Sequence, residues 1–93
     1  MKYLATGPWM RVNDNSCRRV VLYRNKPNEY VVHTQSYEDG CVSYTNGDYY
    51  ASYGAAIGQW QSRNSDFIFY SEPAIVELAE AAELAALANR LVA

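Results

Sequence analysis

Cysteine is scarce here. Only Cys17 and Cys41 occur in 93 residues, too few for the disulfide framework that staples small secreted domains. The single histidine, His33, does not complete a zinc site with recognisable spacing. No apolar run approaches the roughly 18 residues that a bilayer-spanning helix requires. The opening stretch, Met1 to Thr6, meets Gly7-Pro8 too early to hold the apolar centre of a signal peptide. The expectation is therefore a cytoplasmic protein with reduced thiols. Glycine is sparse and scattered, and Gly54 and Gly58 have the wrong spacing for a phosphate-cradling loop. Excess charge is missing too. A net charge of −2 is far from that of a DNA mimic, and with 49% apolar residues it excludes a disordered tail.

Tyrosine is abundant, with nine among thirteen aromatic residues. The apolar share suits one small globular domain spanning residues 1–93. The balanced total hides a split. Residues 1–33 carry six basic side chains against two acidic ones, and residues 34–93 carry two against eight. Either the halves attract each other in the fold or the asymmetry marks an interaction face.

The first two-thirds of the chain reads as sheet and the last third as helix. Tyr3–Ala5 and Trp9–Val12 are short apolar pieces separated by Gly7-Pro8, which predicts a strand with a break or bulge. Arg19–Arg24 and Tyr30–Tyr37 are strands turned by Pro27-Asn28, since proline presets φ at the first central position and asparagine tolerates the second. Asp39-Gly40 and Asn46-Gly47 are both hairpin signals, so Cys41–Thr45 and Asp48–Ala51 read as two more short strands of a meander. Ser52 is a good N-cap for a helix whose Tyr53, Ala56, Ile57 and Trp60 share a face and which ends at Arg63-Asn64-Ser65. Phe67–Tyr70 reads as an edge strand. A longer C-terminal helix runs from about Pro73 to Leu91, rich in alanine and leucine. The fold class is α+β: an antiparallel four- or five-stranded meander with two helices packed mainly on one face.

Centring a turn on Pro27-Asn28 places Leu22 opposite His33 and Tyr23 opposite Val32. Val20, Leu22, Val31, His33, Tyr37 and Tyr44 then share the core face. Arg19, Val21, Tyr23, Tyr30, Val32 and Tyr50 share the other. In this register the Tyr30–Tyr37 strand separates Cys17 from Cys41 by two strand spacings, roughly 9.5 Å, too far for a disulfide.

No catalytic constellation emerges. His33 sits mid-strand without a nucleophile fixed by spacing, and reads as a packed, hydrogen-bonded side chain. Glu77, Glu80 and Glu83 lie on one helix side and read as a solvated face. No cofactor and no metal are implied. The C-terminal helix is apolar on two sides: Ile75, Leu78, Ala82 and Ala85 on one, Leu84, Leu87 and Leu91 nearly opposite. One small sheet covers only one of these, so the second either lies under the other helix or packs on a second copy; the expectation is a homodimer through the C-terminal helix.

The segment Arg18-Arg19-Val20-Val21-Leu22-Tyr23-Arg24, with Glu29-Tyr30-Val31-Val32-His33 and Gly47-Asp48-Tyr49-Tyr50 and the helix bearing Trp60 and Arg63, resembles the small orphan proteins of phages and plasmids. Among these are the anti-CRISPR inhibitors. The resemblance covers about half the chain and is one of size and exposed aromatics. It implies a non-enzymatic protein-binding module that occludes a surface on a host defence complex such as a CRISPR-Cas nuclease. The residues themselves point to Tyr23, Tyr30 and Tyr50 with Arg19 and Arg24 as the contact patch, because tyrosine offers large area with few rotamers and a polar tip. A single-stranded nucleic-acid binder using the same Tyr/Arg face, a small dimeric structural protein and a small enzyme built on His33 or Cys41 are the alternatives.

Overall fold

The computed structural model describes the backbone of residues 2–92 and the side chains of residues 2–89. The chain forms β1 (Tyr3–Thr6), β2 (Met10–Asn13), β3 (Ser16–Lys26), β4 (Glu29–Glu38), β5 (Cys41–Tyr50), α1 (Tyr53–Tyr70), β6 (Glu72–Pro73) and α2 (Val76–Val92). The fold is α+β, as the sequence predicts. The sheet is antiparallel, with strand order β5-β4-β3-β2-β6 and β1 paired to β3 beside β2. β1 and β2 are the two halves of one broken strand. The break at Gly7-Pro8-Trp9 keeps a hydrogen bond from Gly7 N to Val20 O at 2.9 Å. A Cβ on Gly7 would lie 1.9 Å from Asn64 Oδ1, so glycine lets α1 approach the break. The two helices are similar in length, 18 and 17 residues.

The register between β3 and β4 differs from the expectation by one residue. Leu22 pairs with Val32, Tyr23 with Val31 and Arg24 with Tyr30, while Lys26 pairs with Glu29. The extra residue is Asn25, a bulge. Its cause lies in the turn: Asn28 has φ +61° after Pro27, the pattern of a type II turn. Such a turn does not match the right-handed twist of a strand pair, and the bulge takes up the mismatch. Because side chains alternate with a period of two, the slip moves every β4 residue to the opposite face.

Asp39-Gly40 makes the hairpin turn the sequence predicts, with positive φ at both residues (+51° and +80°). Asn46-Gly47 does not. It is a bulge inside one ten-residue strand, between the pairs Thr34–Thr45 and Val32–Asp48. Gly47 faces the His33 ring, and a Cβ there would lie 2.2 Å from Nε2. α1 begins where expected, with Ser52 Oγ accepting from Ala55 N at 3.2 Å. It runs on through Arg63-Asn64-Ser65 to Tyr70, so Phe67–Tyr70 is helix and not an edge strand. The buried or half-buried positions Ala56, Ile57, Trp60, Arg63, Asn64 and Phe67 keep helical spacing throughout. α2 starts at Val76, because Glu72-Pro73 instead pairs with Arg11 and Met10 of β2.

The helices pack on opposite faces of the sheet, not mainly on one. α1 covers Val20, Leu22 and Val32 through Ala56, Ile57, Trp60 and Phe67. α2 covers Cys17, Tyr37 and Trp9 through Leu78, Ala79, Ala82 and Ala86. Cys17 and Val20 are three apart on one strand and so point to opposite sides. Val21, Tyr23 and Val31 form a third cluster on the α2 side, closed by Tyr3 and Tyr44. Trp60 Nε1 donates to Val20 O at 2.9 Å, so that carbonyl accepts from both Gly7 N and the indole.

Candidate functional site

The expected contact patch is split between the two faces, Tyr30 and Tyr50 by the slip of β4 and Arg24 by plain alternation along β3. Arg19 and Tyr23 lie on the α2 side and are buried, 3% and 7% exposed. Tyr30, Tyr50 and Arg24 lie on the α1 side. There Tyr30 and Tyr50 pack against the Val20–Leu22–Val32 core, and the Tyr30 ring meets Tyr53 edge-on at 5.8 Å. Arg24 alone of the five is exposed. The five residues therefore do not form one surface. The face on which bases were to stack is not assembled, and the support for a nucleic-acid platform goes with it.

Arg19 instead anchors a buried polar network. Its Nε donates to Gln35 Oε1 at 2.7 Å and its Nη1 to Glu83 Oε2 at 2.7 Å. Its guanidinium carbon lies 4.5 Å from the Trp9 ring centroid and 5.3 Å from that of Tyr3. Gln35 Nε2 donates to the Tyr3 hydroxyl at 2.7 Å, and the Tyr3 and Tyr44 hydroxyls are bonded to each other. Burial, reinforced by the Tyr44 hydroxyl, pushes the Tyr3 phenol above its usual range. Among the described residues no buried side-chain nitrogen or oxygen lacks a partner. A satisfied network of this kind orients the sheet and α2 relative to each other. Its groups are occupied with one another, which is a structural role.

His33 sits beside this network. Its Nδ1 and the Tyr23 hydroxyl share a 2.8 Å hydrogen bond, and the rings stack with centroids 5.7 Å apart. Burial first, then the positive charge of Arg63, lowers its pKa; Asp48 opposes this. A neutral imidazole accepting from Tyr23 fits that environment. Burial likewise pushes Tyr23 up to about 12 and the Cys17 thiol up to about 11. Cys17 and Cys41 are both free, the first buried and the second exposed. Among the described residues no three His, Cys, Asp or Glu side chains gather as a metal ion would require.

The largest exposed rings are elsewhere, at the end of α1. Phe69 and Tyr70 are 79% and 80% exposed, and their rings meet edge to face at 4.8 Å. Tyr70 stands between two shallow recesses. One, of about 480 Å³, is lined by Arg11, Val12, Asp14, Ser71 and Glu72. The other, of about 300 Å³, is lined by Arg63, Asp66, Phe67 and Ser71 and is mostly apolar. Arg11 is bonded to Asp14 and lies 4.0 Å from Glu72, and Arg63 is bonded to Asp48. The lining of the two recesses beside Tyr70 is acidic on balance, with Asp14, Asp66 and Glu72 against Arg11 and Arg63. The sequence reading missed this site because it placed Phe67–Tyr70 in a strand. Extending the Ala56, Ile57, Trp60 spacing by two further turns reaches Phe67 and leaves Phe69 and Tyr70 pointing outward.

On α2, Leu84 and Leu87 are exposed, 69% and 48%, beside a narrow recess over the Arg19–Glu83 pair. Leu91, the third member of the expected stripe, has its side chain outside the described residues. Ile75, expected on the core face of this helix, precedes it and is exposed.

Comparison of the chain with protein-family models, with curated proteins and with solved structures gives no match. No helix among the described residues is long and apolar enough to cross a membrane.

Proposed function

We propose that the protein is a non-catalytic protein-binding module whose contact site is the α1 end, with Phe69 and Tyr70 as anchors. The observation that supports this reading is their exposure side by side on an ordered helix. Two adjacent aromatic rings left in water, with charged side chains lining the recesses beside Tyr70, have the anatomy of an interface centre with a polar rim. The acidic balance of Asp14, Asp66 and Glu72 favours a partner that offers an apolar cleft edged by lysine or arginine. An inhibitor that covers a surface of a host defence complex is the specific form of this reading that the resemblance implies.

Immobilised wild-type protein and the Phe69→Ser/Tyr70→Ser double variant test it against a native host lysate. The variant keeps the wild-type circular dichroism and melting temperature, because neither ring is buried. A protein retained by the wild type and lost by more than tenfold on the variant is the expected result. Equal capture by both overturns the site.

A further inference from the structure

The two sides of the sheet are finished differently. On one side the outer strands are short: β1 has four residues and ends at Gly7-Pro8, β2 has four, and β6 has two, one of them Pro73. Short strands and proline prevent another strand from adding. On the other side lies β5, ten residues long and paired only to β4 among the described residues. Its second half is protected by the Asn46-Gly47 bulge, where Arg63 Nη1 donates to Asn46 O at 2.8 Å and Arg63 pairs with Asp48. Its first half, Cys41-Val42-Ser43-Tyr44-Thr45, has no charge, no proline and no bulge.

The hairpin turn settles which backbone groups face outward. A two-residue turn with positive φ at Asp39 and Gly40 makes Glu38 and Cys41 a hydrogen-bonded pair. Alternation then turns the N–H and C=O of Ser43 and Thr45 inward to β4, and those of Val42 and Tyr44 outward.

We infer that this edge pairs with the same edge of a second copy of the chain, antiparallel and with the two-fold axis at Ser43. In that register the outward groups of Val42 meet those of Tyr44 in the other copy, and the reverse, making four main-chain hydrogen bonds. The Val42 and Tyr44 side chains of the two copies fall side by side on the α2 face. The Tyr44 ring itself is turned inward, its hydroxyl bonded to that of Tyr3 and its ring against His33, so the contact across the axis rests on the main chain and Val42. Cys41 faces Thr45 and Ser43 faces its own counterpart, so no like charges are opposed. The stretch ends at the Asp39-Gly40 turn on one side and at the bulge on the other, which limits slippage. Five residues per copy are well below the roughly 20–30 of a standard interface, so the dimer is weak and its mass depends on concentration.

Three variants read by light scattering over a dilution series, together with oxidative cross-linking, test the pairing. Val42→Pro removes an outward N–H and leaves the β4 ladder intact, and it stays monomeric where the wild type dimerises. Cys41→Ser/Ser43→Cys places thiols at the axis, where opposed Cα atoms lie about 4.5 Å apart, within disulfide range. It cross-links to completion on mild oxidation. Wild-type Cys41 does not, because its counterpart lies about 13 Å away along the strands. A wild type that is monomeric throughout overturns the proposal. So does a double variant that fails to cross-link, which decides the matter even if Val42→Pro does not fold. Loss of the dimer in Leu87→Glu but not in Val42→Pro assigns the contact to α2 and also overturns it.

Discussion

Arg19 of β3 and Trp9, in the link between β1 and β2, donate to the same oxygen, Oε2 of Glu83 on α2, at 2.7 and 3.0 Å. One carboxylate thus ties α2 to two parts of the sheet. The Arg19 side chain is 4% exposed and that of Glu83 is 61% exposed, so the buried partner depends on one reached from solvent. Glu83→Ala removes a charge-assisted bond from a guanidinium that stays buried. A loss of about 1.5–3 kcal/mol is expected, read from urea midpoints at an unchanged denaturant slope. Glu83→Gln retains an acceptor and loses less.

His33 makes stability fall with acid in a defined window. Its pKa is lowered in the fold from the ordinary 6.5, so the unfolded chain binds its proton more readily. The contribution is complete above 6.5 and is lost as pH falls below that value and through the lower folded one. Urea midpoints between about pH 7.5 and 5.5 decline in the wild type and decline less in His33→Gln. Equal slopes in both proteins would assign the pH dependence to other groups.

The contact between Gly7 and Asn64 predicts a pair of compensating substitutions. Gly7→Ala forces the Asn64 side chain aside, costing about 1 kcal/mol or more. Asn64→Ala removes the obstacle, so Gly7→Ala costs less in that background than alone. A double-mutant cycle in urea measures the difference.

The two thiols separate by rate. Cys41 is exposed and Cys17 is buried with its pKa pushed up to about 11. One equivalent of a disulfide reagent reacts at once under native conditions, and Cys41→Ser abolishes that phase. The second equivalent appears only with unfolding.

The first four strands, the presence of both helices, the Ser52 cap and the Asp39-Gly40 turn were legible because each rests on local chemistry: alternation, capping oxygens, residues that tolerate positive φ. Asn46-Gly47 carried the same dipeptide signal and became a bulge, since pairing with β4 continues past it through Asp48, Tyr49 and Tyr50. The end of α1 was missed because Asn64 and Ser65 look like a stop. Packing of Phe67 beyond them against the Val20–Leu22–Val32 core outweighs their poor propensity.

The sequence by itself determined an α+β chain with a broken first strand, a run of hairpin-connected strands and an alanine-rich final helix. Only the tertiary structure decided which side chains share a surface. A single extra residue, Asn25, shifts the register of β4 against β3 and transfers each of its side chains to the other face. The slip puts Tyr30 and Tyr50 under α1, away from Arg19 and Tyr23, which are buried on the α2 side of the sheet, while Phe69 and Tyr70 stay exposed at the end of α1. A period of two makes every facing assignment depend on a one-residue count, and that count is set by how a turn fits the twist of the paired strands.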